Sequence, residues 1–333
     1  MLMQPAILAL LGISLGVALA LLLAGGLAIP IIRYWDITSG SEFQLTLERR
    51  TYLISTLLGL VLAAEILSLF LFVYTAEQLS SQFVGAMCAT GVLNVNAFGF
   101  PTLLLKIVIF FLAAVWLVLN HVDNQGYDYP LIRIKYGLVL VIALLTLAES
   151  ILQWRYFLGL DPHIITSCCG TLFSPGSQNL AAELSGIRPL PALLLFYTVA
   201  LVMLLSGGWF LYDRRRGPLF AGMSALTFAT AIVAIISFLS LYIYENPNHH
   251  CPFCILKQGY AYVGYWLYIP LFAATACGLG AGVMAPFARL ASLRQVVPMT
   301  TERLTWLALA GFSLFYLVAS YLILTSALVL IGD

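Results

Sequence analysis

The chain has 333 residues, of which 62% are hydrophobic and only 9% are charged, and its mean hydropathy is +1.00. Soluble globular proteins of this length do not reach such values, so the composition predicts a polytopic membrane protein. Fifteen basic residues nearly balance 14 acidic ones, for a net charge of +1. This balance provides no basic surface for nucleic acid, which is therefore excluded as a main partner.

Eight stretches are long and apolar enough to cross a bilayer, which takes about 20 apolar residues. They cover residues 5–33, 51–74, 101–120, 134–156, 190–212, 218–244, 255–285 and 304–331. We therefore predict an all-α, polytopic membrane helix bundle with about eight transmembrane helices, forming a single integral membrane domain over 1–333. Its expected parts are a helical hairpin with the first cysteine loop (51–130), a four-helix unit (134–285) and a C-terminal transmembrane helix (304–331).

The basic residues predict the orientation of these spans. Each loop takes the number of the span that it follows. Eleven of the 15 basic residues fall at the odd-numbered loops, namely Arg33, Arg49, Arg50, Arg133, Lys135, Arg214, Arg215, Arg216, Arg289, Arg294 and Arg303. Because basic loops remain on the cytoplasmic side, both termini and the even loops are expected outside. The expected location is a bacterial inner membrane with the even loops in the periplasm. The first span lacks a positive n-region and is interpreted as a true span rather than a cleaved leader.

Five of the six cysteines are predicted to lie on the outer face: Cys88 in loop 2, Cys168 and Cys169 in loop 4, and Cys251 and Cys254 where loop 6 enters the seventh span. The periplasm is oxidising, so thiols there tend to form disulfides. The sixth, Cys277, lies within a span among small residues, where a packing role is favoured.

The strongest local motif is His249-His250-Cys251-Pro252-Phe253-Cys254. At a helix N-terminus, unpaired N–H groups would favour thiolate at Cys251, which is expected to be the more exposed of the two cysteines, and this predicts redox activity. A static disulfide or half of a metal site remains open. His249 and His250 are either polar residues at a wet helix entrance or groups that stabilise thiolate and relay protons. Ile255 follows where a c-type haem attachment motif has histidine, so covalent haem is not expected.

Three ionisable residues fall inside predicted spans: Glu65, Lys106 and Glu149. A charge in hydrocarbon needs a partner or a wet cavity. By helical rise they lie about 7–13 Å below the outer ends of their spans, which permits mutual contact. They form either a proton path or a buried ion pair that holds helices together.

The cysteine motifs resemble those of the vitamin K epoxide reductase family and of the bacterial disulfide-bond formation protein B group. In that family, loop cysteines precede a proline-led helix, and a Cys-x-x-Cys lies at the start of the last helix of a four-helix bundle. The matching segments here are Cys168 and Cys169 with Thr171-Leu-Phe-Ser174, Pro191, and Cys251-Pro-Phe-Cys254, while Cys88 with Phe98-Gly-Phe-Pro101 resembles the same loop signature. Loop 4 departs from the pattern in having adjacent cysteines, so the resemblance implies that Cys88 pairs with Cys168 or Cys169.

This resemblance implies a membrane thiol-disulfide oxidoreductase. A partner's dithiol would reduce a loop disulfide, electrons would pass to Cys251 and Cys254, and a quinone (ubiquinone or menaquinone) would accept them. Candidate quinone-binding residues are Phe253, Tyr260, Trp266, His249 and His250, although aromatic residues near an interface are also typical of a membrane belt. The expected partners are membrane lipid and a thioredoxin-like or cytochrome-containing periplasmic protein, or other membrane subunits.

Two other functions remain open. A non-catalytic membrane anchor or quinone-facing subunit of an electron-transfer complex would suit a chain without a soluble domain. A metal binder is the other alternative, because thiolate and imidazole ligands suit zinc or copper(I). The enzyme interpretation is preferred because five of six cysteines share one face, and no metal ligands are assigned.

Overall fold

A computed structural model describes residues 3–161, 163–166 and 186–330. Over these ranges the chain forms helices and no strand. Eight helices of the described part are long and apolar enough to cross a membrane. The predicted all-α, polytopic bundle is therefore confirmed, and the chain is an integral membrane protein.

Each predicted span contains a helix. In chain order the helices are α1 (Pro5–Tyr34), α2 (Glu42–Leu79), α3 (Ala89–Leu93), α4 (Gly99–Asp123), α5 (Ile132–Leu158), α6 (Pro189–Tyr212), α7 (Gly217–Ala234), α8 (Ser240–Tyr244), α9 (Val263–Met284) and α10 (Val296–Thr325). Helix α2 begins nine residues before the predicted 51, and α10 covers 296–325 instead of 304–331. Proline begins α1 and α6, where its missing N–H costs no helical hydrogen bond. A π-helical segment, Ile235–Leu239, joins α7 to α8.

The chain divides into two compact units. The first unit comprises Met1–Gln78, Val95–Asp161 and Phe287–Pro298. In it, α5 packs on α1 and α4. The Tyr136 hydroxyl of α5 donates to the Thr51 carbonyl of α2 at 3.2 Å, and the Trp116 indole of α4 donates to the Lys135 carbonyl at 3.0 Å. Buried aromatic side chains thus bring hydrogen-bond donors to backbone oxygens inside the helix bundle.

The second unit comprises Leu79–Asn94, Pro162–Pro286 and Met299–Asp333. Helix α7 packs on both α6 and α9. Glycines bring α7 and α9 together, because a Cβ at Gly282 would collide with the Gly217 carbonyl oxygen and the Ala221 side chain. Such small-residue contacts replace the hydrophobic effect between helices in a membrane. The predicted four-helix grouping of 134–285 differs from this division, since α5 lies in the first unit.

The start of the seventh span differs from the prediction. Helix α9 begins at Val263 rather than at Ile255, and the preceding residues form two short 3₁₀ turns, Cys254–Leu256 and Gln258–Tyr260. Ala261 and Tyr262 then adopt left-handed backbone conformations, with φ of 50° and 55°. Left-handed residues cannot continue a right-handed helix. The expectation that a helix dipole activates Cys251 is therefore wrong, and its environment comes from nearby side chains instead.

Candidate functional site

Three cysteines of the second unit meet in the protein interior. Cys88 immediately precedes α3, whereas Cys251 and Cys254 lie on the connection between α8 and α9. The Sγ atoms of Cys88 and Cys251 are 3.2 Å apart, and all three Sγ atoms lie within 4.8 Å of one another. None is more than 4% exposed, so Cys251 is not the exposed thiol that the sequence suggested. The structure places the loop 2 cysteine in contact with the Cys-Pro-Phe-Cys motif.

The segment that carries Cys88 is held by Thr166, the last described residue of loop 4 before a gap. The Thr166 N–H donates to the Val84 carbonyl at 3.1 Å, and its hydroxyl donates to the Gly91 carbonyl at 2.8 Å. Gly85 has a φ of 85° and passes so close to the Thr166 carbonyl that no Cβ fits there. Cys168 and Cys169 lie outside the described residues, and their predicted roles stay predictions.

The backbone of the Cys-Pro-Phe-Cys motif is anchored on both sides. The Tyr244 hydroxyl donates to the Cys251 carbonyl at 2.5 Å, and the Tyr268 hydroxyl donates to the Pro252 carbonyl at 2.7 Å. The Lys257 ammonium donates to the Met87 carbonyl, next to Cys88. The two tyrosines therefore anchor the motif to α8 and α9, and the lysine links the residues after the motif to the segment of Cys88. The sequence analysis did not find these roles, because such donors have no recognisable spacing to the cysteines.

The surroundings of Cys251 favour ionisation of its thiol. Its pKa lies well below the usual cysteine value, because Cys254 and Cys88 donate hydrogen bonds to it, with further donors in Thr90 and the Phe253 backbone, and these outweigh the effect of burial. The Thr90 hydroxyl is 3.1 Å from the Cys251 Sγ. The pKa of Cys254 is raised, because its proton is engaged by Cys251 and Cys88 and because it is buried. A cysteine with a lowered pKa thus lies beside two other cysteines, a combination suited to thiol-disulfide exchange.

The two histidines have separate positions. The His249 ring stacks on the Tyr244 ring with centroids 4.0 Å apart. The His250 Nδ1 lies 2.9 Å from the Ile236 carbonyl, within the π-helical segment. Burial lowers the pKa of His250, so that its ring is neutral at pH 7. Tyr244, with His249 and Tyr260 packed on its ring, therefore forms the aromatic wall of the site. His250 connects the segment before the motif to the preceding helix.

Two of the remaining predicted quinone-binding residues lie at the cysteines and one does not. Phe253 and Tyr260 pack against the three-cysteine cluster together with Tyr244. Trp266 lies on α9 with 62% of its surface exposed, as expected of a side chain that faces lipid. The structure thus keeps Phe253 and Tyr260 at the candidate site and places Trp266 on the surface of its helix.

A cavity of about 230 Å³ opens beside this aromatic wall. Its lining residues are Tyr242, Ile243, Glu245, Tyr260, Ala261, Val263, Leu322, Thr325 and Ser326. Tyr260 lines the cavity and also packs against the cysteines. The cavity has a mixed lining of apolar and polar side chains. The sequence did not reveal it, because its walls come from three separate segments, and 322–326 lies about 60 residues beyond the other two.

The ionisable residues of the predicted spans meet in the first unit. The Lys106 ammonium lies 3.0 Å from Glu149 Oε1 and 3.4 Å from Glu65 Oε1. The contact that their depths permitted is therefore confirmed.

The fold and the thiol cluster define a class: a polytopic, all-α integral membrane protein with a buried site of three cysteines. No protein-family model, curated protein or solved structure matches the chain.

Proposed function

We propose that this protein is a membrane thiol-disulfide oxidoreductase that passes electrons from a dithiol substrate to a quinone. The observation that carries the proposal is the 3.2 Å separation of the Cys88 and Cys251 sulfurs inside the second unit. Free sulfurs at this distance need only a small side-chain rotation to reach the bond length of about 2.05 Å. Cys251 thus has two neighbouring partners for a disulfide, Cys88 and Cys254.

The three thiols support an exchange reaction in which Cys251 is the shared sulfur. Starting from a Cys251–Cys254 disulfide, the Cys88 thiolate attacks Cys251, forms a Cys88–Cys251 bond and releases Cys254 as thiolate. The reverse attack by Cys254 restores the original bond. Each exchange conserves electrons, because Cys251 stays in a disulfide throughout and the departing thiolate is Cys254 in one direction and Cys88 in the other.

The net reaction requires an electron acceptor, for which we propose a quinone. Formation of one disulfide from two thiols releases two electrons and two protons, and a quinone takes up both pairs to become a quinol. The cavity lined by Tyr260 supports this assignment, because part of its lining is apolar and it adjoins the aromatic residues packed on the cysteines. In this proposal Cys168 and Cys169 receive electrons from a periplasmic thioredoxin-like donor and transfer them to Cys88, and the cysteines face the periplasm of a bacterial inner membrane.

Thiol mapping with a soluble quinone tests the proposal. The reduced protein in lipid nanodiscs is mixed with ubiquinone-1, quenched in acid and alkylated, and its disulfides are located by mass spectrometry. We expect one disulfide per quinol formed, with Cys251 as a member. Cys251→Ser abolishes quinol formation, whereas Cys277→Ser, a matched control in the same unit, leaves it unchanged. Wild-type quinol formation by Cys251→Ser, or thiols that stay reduced with quinone, would overturn the proposal.

A second variant separates the roles of the three sulfurs. In Cys254→Ser the sulfur that competes with Cys88 for Cys251 is absent, so oxidant should trap the Cys88–Cys251 disulfide. Cys88→Ser should yield only the Cys251–Cys254 disulfide. Failure of Cys254→Ser to form the Cys88–Cys251 bond would contradict the exchange step, even if the motif itself is redox-active.

A soft metal site is the second candidate, favoured by the mutual approach of three sulfurs within 4.8 Å. Thiolates select copper(I) or zinc. Sulfurs bound to one zinc ion at about 2.3 Å lie roughly 3.8 Å apart in tetrahedral geometry. The 3.2 Å separation of Cys88 and Cys251 is shorter, which favours disulfide chemistry. Metal analysis decides between them: one copper or zinc per chain that is lost in Cys88→Ser would support the metal site.

A further inference from the structure

A cluster of three charged side chains lies inside the first unit, separate from the thiols in the chain's other unit. Glu65 of α2, Lys106 of α4 and Glu149 of α5 are each at most 2% exposed. Lys106 contacts both carboxyl groups, at 3.4 Å and 3.0 Å, and donates to the Ser68 hydroxyl at 2.8 Å. The Phe72 ring lies 5.9 Å from the ammonium and closes this side with an apolar surface.

The charges of this cluster do not balance when all three groups are ionised. Two carboxylates and one ammonium leave one net negative charge at a site shielded from solvent. An uncompensated charge in such a place is strongly unfavourable, because it has lost its hydration without gaining a counter-charge. In addition, Glu65 Oε2 and Glu149 Oε2 accept no hydrogen bond from the described residues. The cluster therefore has one positive charge too few and carboxyl oxygens available to bind it.

No other ionisable group of the packed helices supplies that charge. Helix α1 has none between Pro5 and Ile32. The nearest ones along the other helices are Tyr74 and Glu77 on α2, His121 on α4, and Arg155 and Tyr156 on α5. All are at least six residues from the cluster member on their own helix, which corresponds to about 9 Å of rise.

Arg155 is exposed and lies over the Phe98 ring, and Tyr156 packs on Phe72. Arg289 and Arg294 are close in sequence to Leu293. The Leu293 side chain lies next to Gly126, which follows the C-terminal end of α4, whereas Lys106 is near the N-terminal end of that helix.

We propose that Glu65, Lys106 and Glu149 form an intramembrane cation site that holds one exchangeable proton between its two carboxyl groups. With this proton the cluster is neutral: one carboxylate pairs with Lys106, and the other carboxyl group carries the hydrogen. A proton needs only one acceptor oxygen, whereas a metal cation takes about six or more oxygen ligands, and the residues around Lys106 offer few. The site gives the first unit the capacity to take up and release a proton inside the membrane.

The proton count predicts an unusual result for substitutions. Replacing either glutamate by glutamine leaves one carboxylate opposite one ammonium, which is already neutral. Both Glu65→Gln and Glu149→Gln should therefore lose the protonated carboxyl group, although only one of them can carry it at a time. A purely structural ion pair with two ionised carboxylates would have no such group to lose.

Infrared difference spectroscopy on the full protein in lipid nanodiscs tests whether the cluster holds one protonated carboxyl group. At pH 7 the wild type should show the C=O stretch of one protonated carboxyl group, with the downshift in D₂O that marks an exchangeable proton. Glu65→Gln and Glu149→Gln should each lose this band, and Glu42→Gln, an exposed control at the start of α2, should keep it. Cys251→Ser should also keep it, which separates this test from that of the thiols.

Three results would overturn the proposal. The first is the absence of a protonated carboxyl band in the wild type at pH 7. The second is a band that survives both glutamine substitutions. The third is a band that disappears when sodium chloride replaces choline chloride at constant pH, which would identify a sodium site instead. If the variants lose the band only because they unfold, their circular dichroism spectra will show lost helix, and the proton count then comes from titrating the wild type.

Discussion

The Cys88 sulfur lies 3.2 Å from the Cys251 sulfur, although 163 residues separate them in the chain. Tyr244 bonds the carbonyl of Cys251, Tyr268 bonds that of the following Pro252, and Thr166 holds the segment of Cys88. The secondary structure around each cysteine does not by itself bring the two thiols together. Their approach depends on several side-chain to backbone hydrogen bonds, each of which can be removed and measured.

The Thr90 hydroxyl stabilises the thiolate of Cys251. In Thr90→Val this hydrogen bond is lost, so the pKa of Cys251 rises. The rate of reaction with methyl methanethiosulfonate, followed against pH, should have its midpoint at higher pH than in the wild type. Thr90→Ser retains the hydroxyl and should keep the wild-type midpoint. An unchanged midpoint in Thr90→Val would show that the other donors suffice.

The same bond contributes to stability in a defined pH range. A cysteine whose folded pKa is lowered stabilises the fold above its unfolded pKa of about 8.5, and this contribution is lost as pH falls through the folded pKa. Thr90→Val should therefore be less stable than the wild type at pH 9, with a difference that shrinks in acid. Thermal unfolding followed by circular dichroism at both pH values measures it.

Tyr268 supports the motif through the Pro252 carbonyl. Tyr268→Phe removes the donor and leaves this carbonyl without that bond, which should lower the free energy of unfolding by about 1–2 kcal/mol. The control is Tyr197→Phe, because the Tyr197 hydroxyl bonds Ser320 at an exposed position and its loss should cost less than about 0.5 kcal/mol. Equal effects in the two variants would argue against an anchoring role for Tyr268.

Lys106 is the only cation of its buried cluster. Lys106→Met leaves two carboxyl groups without it and should destabilise the protein by about 3–5 kcal/mol. Arg214 pairs with Glu302 at 2.7 Å, but both side chains are more than one-third exposed. Arg214→Met should therefore cost less than about 1 kcal/mol. Denaturant unfolding in mild detergent compares the two, and similar values would mean that the Lys106 pair is screened by water.

Gly282 permits the close contact of α7 and α9 in the unit that holds the cysteines. In Gly282→Ala the added methyl group meets the Gly217 carbonyl oxygen, which cannot move aside as a side chain would, so a loss of about 1–3 kcal/mol is expected. Gly222→Ala is the control, since nothing lies within 4 Å of a Cβ there. Thermal unfolding of both variants measures the difference; equal stability would show that the helices separate at little cost.

The eight spans could be predicted because membrane insertion is governed by local composition. Each span needs its own apolar length, and α5 at Ile132–Leu158 extends the predicted 134–156 by only two residues at each end. The start of α9 could not be predicted in this way. Residues 255–262 include Lys257 and Gln258 and are more polar than the helix that follows, but polarity alone does not place the boundary, which left-handed conformations at Ala261 and Tyr262 set just before Val263. Hydropathy does not report backbone conformation.

The sequence identified the cysteines of the candidate site but not how they are arranged in space. Cys88, Cys251 and Cys254 stood out in the sequence as cysteines near one face, and their pairing had to remain open. The resemblance to the vitamin K epoxide reductase family implied a partner for Cys88 in loop 4, at Cys168 or Cys169, which lie outside the described residues. The described residues bring Cys88 to Cys251 and leave that further pairing as a prediction.

The sequence by itself determined that this protein is an all-α membrane protein and which of its residues carry reactive groups, because hydropathy and residue chemistry are local properties. Only the tertiary structure decided that Cys251 lies between two thiols and that one lysine serves two glutamates. Distances between residues far apart in the chain depend on helix packing and on loop hydrogen bonds. These arise from the sum of many weak contacts that no single motif records.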